Sequence, residues 1–194
     1  MIRLFVGLEL SADQRAALQD VRSGVENARW QRDDQLHLTL AFIGEASRGL
    51  MQEIESALAR IRFDPFDLTL KGVGQFGKTG KPKALWVGAE NPEPLMHLHE
   101  KILRALESAE VETDRRRYKP HVTLARFTRG HPGRIGDWLS TNERLTTPGA
   151  HISHFTLYSS HLVQDGAHYR VEARFGPMGQ LDADFTDDGE SACP

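Results

Sequence analysis

One five-residue pattern occurs twice in this chain, and the two copies constrain the fold more than any other feature. Residues 37–41 read His-Leu-Thr-Leu-Ala and residues 121–125 read His-Val-Thr-Leu-Ala. Their 84-residue separation leaves room for a full set of strands and helices, so the repeat predicts two lobes built on one supersecondary plan. In a strand, residues two apart share a face. His37 and Thr39 therefore project together while Leu38 and Leu40 turn to the core. His121 and Thr123 do the same against Val122 and Leu124. A third partial echo, His154-Phe155-Thr156-Leu157, lacks the alanine and stands only 33 residues after His121. His154 is read as a strand residue on the sheet face, outside the catalytic pair.

Around these copies, period-two apolar runs alternate with helical spacing. Strands are expected at 3–10, 37–44 (ended by Gly44), 66–76, 83–90, 121–127, 151–162 and 168–175. Ser11 with Gln14 forms a capping-box signature, followed by Leu18, Val21 and Val25 at helical spacing. Ser47 caps a second helix with the stripe Leu50, Ile54, Ala57, Leu58 and Ile61. Pro94 suits the first turn of a third, with Leu95, Leu98, Ile102 and Leu106 on one face. A short helix is expected over 133–140, and a hairpin turn at Gln164-Asp165-Gly166. Several strand pairs have short connections, which favours α+β with antiparallel sheets over a doubly wound parallel sheet. GVGQFGKTGK has the wrong glycine spacing for a dinucleotide fingerprint or a P-loop and is read as a β-turn.

A length of 194 residues suits one domain of two small lobes; with 39% hydrophobic and 26% charged residues it is an ordinary globular chain. A net charge of −3 argues against a general duplex-DNA binder, whose affinity rests on many Lys and Arg contacts to phosphate. The negative charge is concentrated in Asp182, Asp184, Asp187, Asp188 and Glu190, in a C-terminal stretch without Lys or Arg. Residues 1–178 are read as one domain and 179–194 as a disordered acidic tail. The single cysteine, Cys193, excludes an internal disulfide framework. The N-terminus has no signal-peptide pattern and no run approaches eighteen apolar residues, so the expected location is the cytoplasm, with no membrane partner.

Two His-x-Thr pairs facing one another would offer two imidazoles and two hydroxyl donors. That is the set phosphoester cleavage by general acid–base catalysis needs: one imidazole takes a proton from the nucleophile and the other gives one to the leaving oxygen. Histidine suits both roles because its ordinary pKa lies near neutrality. The threonines can donate to non-bridging phosphate oxygens. A single His beside Thr in a strand is usually structural; duplication in matching context is what favours the chemical reading. Neither copy carries the HExxH pattern or an acidic cluster, so no metal is expected. Single-stranded RNA binds by stacking and by Arg and Lys contacts. Arg115 to Arg117, Tyr118 and Lys119 precede the second copy and combine both. Phe42, Phe127, Phe5 and Trp86 are further stacking candidates, Phe42 being kept as a weak base contact, although core packing is the stronger reading of all three phenylalanines.

HLTLAFIGE and YKPHVTLARF, with RLFVGLEL near the start and FTLYSSHL near the end, resemble the 2H phosphoesterase superfamily. The similarity is greatest to the RNA 2′,3′-cyclic phosphodiesterase (2′-5′ RNA ligase) family and runs over residues 1–178. It implies a bilobal, pseudo-twofold α+β fold whose two antiparallel sheets line a central cleft with helices outside. It also implies His37 as proton donor to the leaving group, His121 as proton acceptor, and Thr39, Thr123 and Arg126 as phosphate ligands. Simple alternation puts Arg126 on the wrong strand face, so it needs a bulge or strand-end twist to reach the cleft. The implied partner is an RNA or oligonucleotide end bearing a 2′,3′-cyclic phosphate, handled by a monomer without cofactor or metal. A diesterase for 2′-5′ oligonucleotides or ADP-ribose cyclic phosphate, and an RNA-end binding module without turnover, remain open alternatives. Where many relatives carry a basic residue before the phenylalanine of the first motif, this chain has Ala41.

Overall fold

The computed structural model describes residues 1–78, 81–113, 117–127, 135–163 and 166–181. Its strands are β1 (Ile2–Glu9), β2 (Arg29–Trp30), β3 (His37–Ala46), β4 (Phe66–Leu68), β5 (Leu70–Lys78), β6 (Lys81–Ala89), β7 (His121–Arg126), β8 (Ala150–Ile152), β9 (Phe155–Val163), β10 (Gly166–Gly176) and β11 (Gly179–Leu181). The helices are α1 (Ala12–Gln19), α2 (Arg48–Leu58), α3 (Glu93–Ser108) and α4 (Ile135–Asn142).

The expected duplication is visible in the order of elements. β1-α1-β3-α2 in the first lobe matches β6-α3-β7-α4 in the second. Among the described residues all strand pairs are antiparallel. The first leaf runs β11-β10-β9-β1-β3, and the second runs β7-β6-β5 with β2 also on β7. The two leaves join into one nine-stranded sheet through a single residue pair between β3 and β7, Leu38 with Val122. Both residues are fully buried, on the face that also turns Leu40 and Leu124 inward. The core continues through Leu95, Leu98, Ile102 and Leu106 of α3 and through Ile54 and Leu58 of α2.

Local signals account for the helix starts. Ser11 Oγ accepts from the Gln14 amide at 3.2 Å and Gln14 Oε1 accepts from the Ser11 amide at 3.4 Å, so the capping box is complete. Ser47 caps α2 through the Leu50 amide at 3.2 Å. Pro94 lies in the first turn of α3, where its missing N–H costs nothing. The helix at 135–142 falls close to its expected place.

Several boundaries differ from the sequence expectation. The runs 66–76 and 151–162 are each broken, yielding β4 and β8 as a separate two-stranded sheet. The break at Thr69 follows from Thr147, whose hydroxyl accepts from the Leu70 amide at 3.1 Å and whose amide donates to Leu70 O at 2.9 Å. His154 sits in the second break, immediately before β9, and is not a strand residue. Val21 and Val25 lie beyond α1, and Ile61 beyond α2. Gly44 does not end its strand: at φ +91° it sits where β3 shifts register against β1, and β3 continues to Ala46. At the other end, β11 pairs with β10, so the fold runs three residues past the expected boundary at 178. The rest of the acidic tail, the Gln164-Asp165 turn, and Arg115 and Arg116 lie outside the described residues. Of the GVGQFGKTGK stretch read as a β-turn, residues 72–78 belong to β5, Lys78 pairs with Lys81, and Thr79 and Gly80 lie outside the described residues.

Candidate active site

The antiparallel register that pairs Leu38 with Val122 sets the geometry of the site. It places His37 across from Thr123 and Thr39 across from His121. Four functional side chains thus form a diamond about a local twofold, imidazoles on one diagonal and hydroxyls on the other. Among the described residues no hydrogen bond ties either threonine hydroxyl.

Each imidazole is oriented in the same way. His37 Nδ1 lies 2.8 Å from the carbonyl of Gln35, and His121 Nδ1 lies 2.7 Å from that of Lys119. A carbonyl only accepts, so Nδ1 carries the proton in both rings and Nε2 presents its lone pair. Two carbonyls, each two residues before its histidine, thereby set both tautomers.

The rings differ in their surroundings. His37 packs against Phe5 (centroids 4.8 Å apart), lies edge-on to Tyr169 (4.9 Å) and is near Tyr158 (6.1 Å). Gly7 admits the close approach of β3 to β1, since a Cβ there would fall 2.9 Å from Leu38 O, while the His37 ring would stand at 3.6 Å. Burial pushes the His37 pKa down to about 4, against the Gln35 hydrogen bond that raises it; Arg126 and His121 add to the fall. His121 contacts Phe76 edge-on at 4.7 Å and Trp86 at 6.3 Å. Its pKa is also lowered, chiefly by burial and further by Arg126 and Lys119. The Lys119 ammonium rests 3.9 Å from the Trp86 ring centroid. Trp86 lies over Gly74, where a Cβ would fall 2.2 Å from the indole.

Arg126 reaches the cleft by the bulge that its position requires. Between β6 and β7 the register passes from Leu85–Ala125 to Trp86–Thr123, so Leu124 is the extra residue and the phase of β7 inverts beyond it. The first motif bulges at the matching residue: Val6–Ala41 is followed by Gly7–Thr39, leaving Leu40 extra. Phe42 consequently occupies the position in the first lobe that Arg126 holds in the second. It is 60% exposed and lines the cleft. The carbonyls of both bulged leucines are held from outside the ladder. Leu124 O accepts from the Gln31 amide at 2.8 Å, and Leu40 O from His99 Nδ1 at 2.7 Å.

Thr39, Phe42, Arg117, Lys119, His121 and Arg126 line a cavity of about 490 Å3. His37 and Thr123 sit beside it, across the Leu38–Val122 pair. Lys83, which sequence reasoning passed over, also lines it. Tyr118 lines the cavity too, beside His99. Its hydroxyl donates to Thr39 O at 2.9 Å and its ring stacks on His99 at 3.9 Å. Phe5 is buried, and Phe127 packs against the core, as the packing reading expected. His154 lies apart from the cavity, with Nε2 3.5 Å from Glu9 Oε1. Glu9 also accepts from Arg174 at 2.7 Å and Thr156 at 2.9 Å. Burial alone would raise the Glu9 carboxyl, but these three hydrogen bonds hold it well below the carboxylate range.

The lobes also differ in charge. Counting four, three and two residues back from each histidine gives Asp33, Asp34 and Gln35 in the first lobe and Arg117, Tyr118 and Lys119 in the second. With Arg126 against Phe42, the second lobe presents the cations.

Paired His-x-Thr motifs meeting at a seam between two antiparallel leaves define a class of protein, the 2H phosphoesterases. The model of the 2′-5′ RNA ligase superfamily matches residues 10–163, and the chain belongs to that superfamily. It is 27% identical over 172 residues to the RNA 2′,3′-cyclic phosphodiesterase of Archaeoglobus fulgidus, covering 87% of this chain and 97% of the relative. A crystal structure from Thermus thermophilus superposes with a TM-score of 0.73 at 28% identity, covering 91% of this chain and 98% of that one. Escherichia coli LigT complexed with 3′-AMP superposes with a TM-score of 0.71 at 27% identity, covering 90% of this chain and 97% of that one.

Proposed function

We propose that this protein hydrolyses RNA 2′,3′-cyclic phosphate ends to 2′-phosphomonoesters, without a metal, by two-histidine general acid–base catalysis. The observation that carries the reading is the interleaved diamond, with both Nδ1 atoms committed and both Nε2 atoms available. The phosphorus sits near the local twofold, with non-bridging oxygens held by Thr39, Thr123 and Arg126. Water attacks in line; His121 Nε2 accepts its proton as the P–O bond forms. The P–O3′ bond breaks on the opposite side, and O3′ takes its proton from His37 Nε2. Run in the same direction with an RNA 5′-hydroxyl in place of water, the exchange forms P–O5′ as P–O3′ breaks and so joins ends by a 2′-5′ linkage; its reverse cleaves that linkage.

Burial leaves both imidazoles neutral in the free protein at neutral pH. His37 becomes an acid when the phosphate anion arrives, because a neighbouring negative charge favours the protonated ring. The RNA body leaves over the second lobe, where Lys83, Arg117 and Lys119 line the cavity. Both histidines come from one chain, so we propose a monomer acting in the cytoplasm; a dimeric mass by sedimentation would contradict that. Among the described residues no helix is long and apolar enough to cross a membrane.

The test is incubation of a short RNA ending in 2′,3′-cyclic phosphate with the protein in EDTA, and identification of the product phosphate by 31P NMR. A 2′-phosphate is expected. Turnover only of 2′-5′ oligonucleotides or ADP-ribose cyclic phosphate would reassign the substrate. Tight binding without product would make the protein an RNA-end binder, and loss of activity in EDTA would remove the metal-free mechanism.

A further inference from the structure

We propose that His99 and Tyr118 are positioning residues for the first His-x-Thr motif, holding the carbonyls of Thr39 and Leu40 and so fixing where the Thr39 hydroxyl and Phe42 point. The proposal rests on the reading of the cleft as a phosphodiesterase site.

A bulge inverts the strand phase and takes a backbone carbonyl out of the ladder, and a buried carbonyl needs a partner. In the second lobe, Leu124 O is satisfied by a backbone amide, that of Gln31, which side-chain chemistry cannot alter. The first lobe uses an imidazole. His99 lies on the buried face of α3, otherwise formed by Leu95, Leu98, Ile102 and Leu106, and is 9% exposed. A polar group is retained there where a bulged carbonyl faces it at 2.7 Å. Tyr118 completes the clamp. Its ring lies 3.9 Å from the imidazole with planes 14° apart, and its hydroxyl reaches Thr39 O, the neighbouring carbonyl. Both clamping residues belong to second-lobe elements, α3 and the approach to β7. The motif of one lobe is thus held by the other.

The experiment compares His99→Leu, His99→Asn and Tyr118→Phe, alone and each combined with Thr39→Val, on a nucleoside 2′,3′-cyclic phosphate. His99→Leu removes the donor, whereas His99→Asn restores an N–H near the position of Nδ1. Expected is a fall in kcat of about tenfold or more for His99→Leu, recovery to within about threefold of wild type for His99→Asn, and a smaller fall for Tyr118→Phe. Combined with Thr39→Val, the His99→Leu loss should shrink to about twofold, because a misplaced hydroxyl no longer matters once it is gone. Unchanged kcat in His99→Leu, no rescue by His99→Asn, or full additivity with Thr39→Val would each overturn the proposal. Should His99→Leu fail to fold, the Tyr118→Phe cycle decides alone by the same non-additivity. Wild-type inactivity would defeat the functional reading only. The positioning claim would then be judged from inorganic-phosphate affinity in the same variants, with equal affinities overturning it.

Discussion

His37 and His121 share a tautomer but not an environment, and that difference sets the expected pH dependence. The kcat/KM profile reports the free protein, in which the acid must be protonated and the base neutral. With the His37 pKa near 4 and that of His121 below the ordinary 6.5, the profile should peak on the acid side of neutrality and fall as pH rises through 7. Bound phosphate stabilises the imidazolium, so the kcat profile should be displaced upward. A kcat/KM optimum above pH 7 would contradict this electrostatic account. His37→Ala and His121→Ala should each lower kcat by about 10²–10⁴-fold, the usual contribution of a positioned acid or base. Circular dichroism checks that both variants keep the fold. His154→Ala should stay within a few-fold of wild-type activity. Its partner Glu9 keeps Arg174 and Thr156, and none of the four residues lines the cavity. Both histidines and both threonines could be read from alternation and duplication. The carbonyls of Gln35 and Lys119 could not, because a backbone oxygen leaves no mark in the residue type two positions upstream. His99 is hidden for a related reason: at helical spacing within an apolar stripe it looks like core packing.

At the level of strands and helices, the parity of β7 was the open question. Alternation alone puts Arg126 on the wrong face, and the Leu124 bulge resolves it. The parallel bulge at Leu40 explains why an exposed phenylalanine stands where alternation would bury one. Strand, cap and helix positions were largely readable because they rest on local chemistry such as Ser11 with Gln14 and Ser47. The breaks at Thr69 and Ser153-His154 were not. The first depends on Thr147, 77 residues away in sequence from Leu70, and no local window contains such a partner. The β5–β6 pair carries its own steric requirement: Trp86, which flanks His121, needs the bare backbone of Gly74. Gly74→Ala should displace the indole and cost about 1–3 kcal/mol, the range for overpacking. Thermal melting would show this, together with weakened turnover. An unchanged Tm and unchanged activity would mean that Trp86 has another resting place.

For the whole molecule, the two lobes share one plan and differ in sign. Asp33 and Asp34 occupy the places that Arg117 and Tyr118 hold in the second lobe and are paired with Arg22 and Arg32, whereas the cations that line the cavity, Lys83, Arg117, Lys119 and Arg126, all come from the second lobe. Activity on an oligoribonucleotide with a cyclic phosphate end should therefore fall with salt more steeply than activity on a mononucleotide. For single strands, the slope of log affinity against log salt changes by about 0.7 per phosphate contact. Lys83→Glu should flatten that slope for the oligonucleotide and spare the mononucleotide by comparison. Equal salt dependence for both substrates would count against a track over the second lobe.

From the ligand's side, the seam between the leaves is a gap to be closed. Two leaves joined by one residue pair are a split washer, and the two His-x-Thr pairs stand on both sides of the split. On the proposed reading, a phosphate gripped by Thr39 from one leaf and Thr123 from the other would supply the cross-links that the backbone ladder omits, so substrate would become a temporary rivet. Hydrogen exchange with and without inorganic phosphate would read this directly. Amides at 37–40 and 121–124 should slow together on binding, and slowing in one leaf alone would show that the phosphate is held from one side.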